Sequence, residues 1–131
     1  MKIEWQSDFE TGNEAVDLQH RFFVDLINRI GNSFKESTDE DYKRKLIVEL
    51  KKYAEFHFAS EENIAKSLKL PGIANHHERH MELIDEFNDN ADELEKGNKS
   101  FDDFIQFLTE WFTGHTFYED QKLFQYPFFK P

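Results

Sequence analysis

The sequence predicts an all-α protein: an up-down-up-down antiparallel four-helix bundle with an extended N-terminal arm and a short C-terminal tail. Three observations carry that prediction. Apolar residues recur in alternating steps of three and four, the period of helices that bury one face. Pro71-Gly72 and Gly97-Asn98 interrupt the period, and Pro127 and Pro131 mark a non-helical end. The links between periodic segments are short, which forces neighbouring helices to run antiparallel.

Residues 1–13 read as the arm, with Trp5 and Phe9 pinning it to the bundle. The first helix, about 14–37, places Val16, His20, Phe23, Ile27, Ile30 and Phe34 on its inward stripe. The second, about 39–66, does so with Leu46, Leu50, Tyr53, His57, Glu61 and Ile64, continued by Leu68. Thr38 followed by Asp41 resembles a capping box and supplies its start. The third, about 73–96, uses Ile73, either His76 or His77, then His80, Ile84, Phe87, Ala91 and Leu94. Ser100 followed by Asp103 starts the fourth, about 101–117, whose stripe is Phe104, Leu108, Trp111 and His115, continued by Tyr118.

At 131 residues the chain is expected to be a single domain over 1–131. A chain of that length buries roughly two-thirds of its unfolded surface, enough for one core without covalent staples. It has no cysteine, so neither disulfides nor thiolate metal sites arise. No apolar run is long enough for a membrane span, and MKIEWQSDFE lacks the basic-then-apolar order of a signal peptide. The expectation is a cytoplasmic monomer. A net charge of −11, from 27 acidic and 16 basic residues, repels phosphate backbones and argues against nucleic-acid binding.

The polar residues on the inward stripes carry the functional signal. His20 lies 17 residues before the link at 37–38 and His57 lies 19 after it; His80 lies 17 before the link at 97–100, and His115 lies 15 after Ser100. At about 1.5 Å per residue these offsets agree to within roughly 6 Å, so antiparallel packing brings the four histidines to one level. A single core histidine is usually just a hydrogen-bonded residue. Several desolvated imidazoles at one height without a partner would cost too much.

Spacing suggests which groups converge. Residues four apart on a helix differ by about 40° in direction, which pairs His57 with Glu61 and His76 with His80. His77 and His80, three apart, can also converge, and spacing alone leaves that choice open. For His115 the four-apart partner is Glu119; Asp120 lies about 140° round an ideal helix. A set rich in imidazole with some carboxylate and no sulfur suits iron, zinc, copper or nickel over magnesium and calcium. Five imidazoles exceed what one ion can take alongside carboxylates, whereas two ions bridged by the carboxylates use them all. Fewer carboxylates than in oxidising di-iron sites leave highly oxidised iron less stabilised. That favours binding dioxygen and releasing it over attack on C–H bonds.

In this order His20 in DLQH, H-x-x-x-E at 57–61, H-x-x-x-H at 76–80 and H-x-x-x-x-D at 115–120 resemble the hemerythrin family over essentially the whole chain. The IEW arm with DLQH makes the chain look like a single-domain bacterial hemerythrin. The resemblance implies reversible dioxygen binding at an oxo- or hydroxo-bridged pair of non-haem irons. One iron would take His76, His80 and His115, the other His20 and His57, with Glu61 and Asp120 bridging. The second iron would be one ligand short, and dioxygen would bind there. The resemblance thus selects His76 over His77, and Asp120 over Glu119. For Asp120 to reach the metals, the fourth helix must end, tighten or bulge between 115 and 120.

Phe23, Phe58, Trp111 and Phe112 adjoin these ligands along their helices and are expected to form a dry dioxygen pocket. Gly114 either widens access to it or eases the helix's end. The expected role is a non-enzymatic one: oxygen transport, storage or delivery to an oxygen-using partner. The alternatives are a sensor of oxygen, redox state or nitric oxide, a di-iron peroxidase or oxidase, and a purely structural metal bundle.

Overall fold

The computed structural model describes residues 2–125. Its long helices are α1 (Glu14–Glu36), α2 (Glu40–Ser67), α3 (Ile73–Glu95) and α4 (Phe101–Gly114). α1 and α3 each pack against both α2 and α4, the square of an antiparallel bundle, and no strand occurs among the described residues. Nor, among them, is any helix long and apolar enough to cross a membrane.

Local chemistry sets the boundaries. Asn13 caps α1 by accepting the Val16 N–H at 3.1 Å, and Ser100 caps α4 by accepting that of Asp103 at 3.0 Å. The cap of α2 is Asp39, which accepts the Tyr42 N–H at 3.2 Å, one residue later than the Thr38 pattern suggests. Ser37 holds Asp39 in place by accepting its N–H at 3.1 Å. α3 closes with Asn98 N–H on Glu93 O and Gly97 N–H on Leu94 O. That paired closure requires a left-handed residue at position 97, where glycine has φ 80°.

The fourth helix does not stop near 117. α4 passes into six residues of π-helix, His115–Asp120, and then into α5, Gln121–Phe124. Leu123 and Phe124 are buried against Val16, Ala65 and Leu70, burial that a departing tail would forgo. The tail marked by Pro127 and Pro131 lies outside the described residues.

The interior is layered. The larger apolar layer is built on Ile27, Ile30, Leu50, Leu83, Phe87, Phe104 and Leu108, and the smaller on the five residues around Leu123. His20 follows Val16 by one turn, Glu61 precedes Ala65 by one turn, and Asp120 comes just before Leu123. A polar layer therefore sits between two apolar ones. The arm closes one side: Ile3 N–H donates to Asn28 Oδ1 at 2.8 Å, and Asn28 Nδ2 donates back to Ile3 O at 2.7 Å. Trp5 and Phe9 meet edge to face, and Phe9 meets Phe112 in the same way.

Candidate metal centre

All seven polar residues named as ligands lie in that middle layer, each at most 7 % exposed. They form two overlapping groups. Glu61, His76, His80, His115 and Asp120 make one, and His20, His57, Glu61 and Asp120 make the other. Each carboxylate divides its oxygens between the groups. Glu61 Oε1 lies 2.6 Å from His76 Nε2 and 3.2 Å from His80 Nε2, while Oε2 lies 3.1 Å from His57 Nε2 and 3.4 Å from His20 Nε2. Asp120 Oδ1 lies 2.9 Å from His76 Nε2 and 2.8 Å from His115 Nε2, and Oδ2 lies 3.0 Å from His20 Nε2. His77 stands outside the layer, with more than half of its side chain exposed.

Asp120 reaches the layer because the π-helical stretch between His115 and Asp120 has an i to i+5 repeat. Of the three possibilities for this stretch, the structure adopts the bulge. Glu119 then falls on the other nitrogen of the ring, 3.4 Å from His115 Nδ1, and accepts from Arg79 Nε at 2.9 Å.

Electrostatics follow from burial and proximity. Burial lowers the His20 and His76 pKa values, but Asp120 and Glu61 more than reverse this and raise both to about 9. Burial likewise opposes protonation of His115, and Asp120, Glu119 and Glu61 raise it to about 10. His57 is the exception: burial holds it below its ordinary value. Burial alone would push Glu61 up, yet four surrounding imidazoles keep it well below the usual carboxylate range. Burial and the Glu61 charge raise Asp120, while His115 and His20 outweigh both and leave it strongly depressed.

Several of these atoms are enclosed without a hydrogen-bond partner: His20 Nε2, His57 Nε2, Glu61 Oε2 and both oxygens of Asp120. Leaving such groups unsatisfied costs about 1–3 kcal/mol each. His57 Nδ1 donates to Gln19 Oε1 at 2.8 Å, which leaves a lone pair on Nε2 facing the Glu61 carboxylate. Two electron-rich atoms 3.1 Å apart, neither hydrogen-bonded, fit a cation between them. The layer is a metal-binding site by its own chemistry, and its nitrogen-and-oxygen set suits a first-row transition metal.

Phe23, Phe58, Trp111 and Phe112 line one cavity together with His57, Leu83, His115 and Thr116. Its volume is about 10 Å³, on a scale where one water needs roughly 10–15 Å³. Trp111 Nε1 donates to Leu83 O at 2.9 Å, so its polar edge is satisfied. Gly114 does not line it. A separate open groove of about 540 Å³ runs past His76 and is lined by Pro71, Gly72, Asn75, Arg79, Glu119 and Leu123 among others.

The sequence reading did not find Gln19 or Glu62, which hold the outer nitrogens of His57 and His80. Their signal is one of register. In an antiparallel pair, residues equidistant from the link face each other, and Gln19 with His57 is centred on 38, Glu62 with His80 on 71.

The family model of the hemerythrin HHE cation binding domain matches residues 11–126. A protein of Clostridium acetobutylicum named bacteriohemerythrin is 27% identical over 124 residues, covering 90% of this chain and 95% of its own. One of the same name from Stenotrophomonas maltophilia is 26% identical over 119 residues, with 91% and 77% covered. Another, from Pseudomonas aeruginosa, is 25% identical over 113 residues, with 86% and 73% covered. With its four helices, its buried cluster of histidines and carboxylates and this match over most of its length, the chain belongs to the hemerythrin family.

Proposed function

We propose that the chain binds dioxygen reversibly at a non-haem di-iron centre and serves oxygen transport, storage or delivery to an oxygen-using partner in the cytoplasm. In this reading it is a monomeric carrier and not an enzyme. His76, His80 and His115 hold one iron and His20 and His57 the other, with Glu61 and Asp120 bridging. The observation that carries it is the division of each carboxylate between two unequal sets of imidazoles, three on one side and two on the other. The poorer set has room for a further ligand. When bound, the irons supply the electrons that reversible dioxygen binding requires.

The chain's own residues supply selectivity and dryness. Phe23, Phe58, Trp111 and Phe112 enclose space for one small molecule beside His57. Their rings offer no proton to a bound gas and exclude water. The names of the relatives support the same reading.

The test is spectroscopic. Elemental analysis should find about two irons per chain. Ferrous protein should colour on exposure to oxygen, bleach when oxygen is removed and colour again on its return. Irreversible oxidation at first contact, or a spectrum indifferent to oxygen, would overturn the proposal.

A further inference from the structure

In the segment HHERH two histidines, His76 and His80, point into the polar layer, and His77 is the one that the metal reading leaves without work. Although more than half exposed, His77 has its Nδ1 2.6 Å from Glu62 Oε1. The other oxygen of that carboxylate, Oε2, lies 2.7 Å from His80 Nδ1. An ionised carboxylate only accepts hydrogen bonds, so both rings donate to it. That fixes the tautomer of His80. Its Nε2 keeps the lone pair and faces inward, 3.2 Å from Glu61 Oε1 and 3.1 Å from His115 Nε2. Phe58 stacks on the same ring at 4.1 Å and 10°. Two consecutive glutamates thus take opposite tasks: Glu61 enters the layer, and Glu62 grips a ring from behind.

We propose that Glu62, itself steadied by His77, is a positioning residue that aims His80 at its metal ion and slows the loss of that ion. The inference rests on the assignment of His80 as a ligand made above. A carboxylate on the outer nitrogen of a ligating imidazole fixes the ring's direction and raises its basicity, and removing such a partner typically costs 10–100-fold in metal affinity. Glutamine at position 62 keeps the length but has one accepting oxygen, so it serves only one of the two rings. The clamp needs both oxygens.

The full chain is loaded with ferrous iron without oxygen, and release to an excess of a coloured ferrous chelator is timed. Glu62→Ala should release iron roughly 10–100-fold faster than the parent, Glu62→Gln by an intermediate factor and His77→Ala by a smaller one. In zinc-loaded, nitrogen-15-labelled protein the His80 Nδ1 proton should give a hydrogen-bonded resonance that shifts in Glu62→Gln and disappears in Glu62→Ala. Metal-free forms of parent and Glu62→Gln should melt alike, which separates positioning of the ligand from support of the fold. Release rates and an Nδ1 resonance unchanged in both Glu62 variants would overturn the proposal. His80→Ala tests the reading beneath it: full metal content in that variant would remove His80 from the ligands, whatever Glu62 does.

Discussion

Asp120 Oδ1 lies 2.8 Å from His115 Nε2 although five residues separate the two. An α-helix would turn them about 140° apart; the π-helical stretch puts them on one face and leaves Glu119 to the outer nitrogen of the ring. Asp120→Ala should therefore lower the metal bound per chain, and Glu119→Ala should leave its stoichiometry intact. Elemental analysis of both variants decides, and equal losses would contradict the division of roles.

The metal-free protein should show an unusual pH profile. His20 and His76 at about 9 and His115 at about 10 bind protons more tightly folded than unfolded. Their contribution to stability is complete below about 6.5, their ordinary value, and is lost as pH rises through 9 to 10. Glu61 and Asp120 are depressed, so theirs is present above the ordinary carboxylate range and is lost as pH falls below it. His57, held below its ordinary value by burial, costs stability as pH falls below about 6.5, so melting temperature should peak near pH 6.5 and decline both towards pH 10 and towards the carboxylate range. At pH 7 metal loading must displace the protons on His20, His76 and His115, so an unbuffered titration with metal should acidify. A flat melting profile would count against these assignments.

Gly114 has helical dihedrals, φ −61° and ψ −48°, and a Cβ added there meets no atom within 4 Å. Gly114→Ala should stabilise the protein by about 0.4–1 kcal/mol, because alanine restricts the unfolded chain and is not strained in the folded one. Since residue 114 is not part of the cavity wall, the oxygen binding proposed above should be unchanged. A thermal melt and an oxygen titration check the two halves.

Phe23 is 1% exposed and contacts the rings of His57, Trp111 and Phe112. Phe23→Ala should cost about 3–5 kcal/mol through lost burial and the void left behind. In the carrier reading proposed above, the widened cavity beside His57 should let the oxygenated protein decay to the oxidised form faster than the parent. Denaturant unfolding measures the first effect and the decay of the visible band the second.

Much of this was legible in residue spacing. Stripes such as Ile27, Ile30 and Phe34 and breaks such as Pro71-Gly72 outline the helices, because burial and turn chemistry act locally. The common height of His20, His57, His80 and His115 follows from counting residues to the links. Asp120 did not follow from spacing, because α-helical geometry selects Glu119 and the π-helical widening has no simple local signature; resemblance to a family supplied it. Leu123 and Phe124 lie beyond the predicted end of the fourth helix, and their burial has no local signal because their partners, Val16 and Ala65, belong to distant helices. Glu62 escaped for the same reason. Its partners His77 and His80 stand across a helix pair, where only the register of α2 on α3 brings them together.

The groove beside His76 has a bearing on traffic through the molecule. His76 is the most exposed of the seven layer residues, at 7 %, and it borders that open channel, whereas the phenylalanine-walled chamber lies against His57 and His115. In the carrier reading proposed above, a cation would approach the layer past His76 and a gas molecule would lodge against His57, so the two would meet the same cluster from different sides.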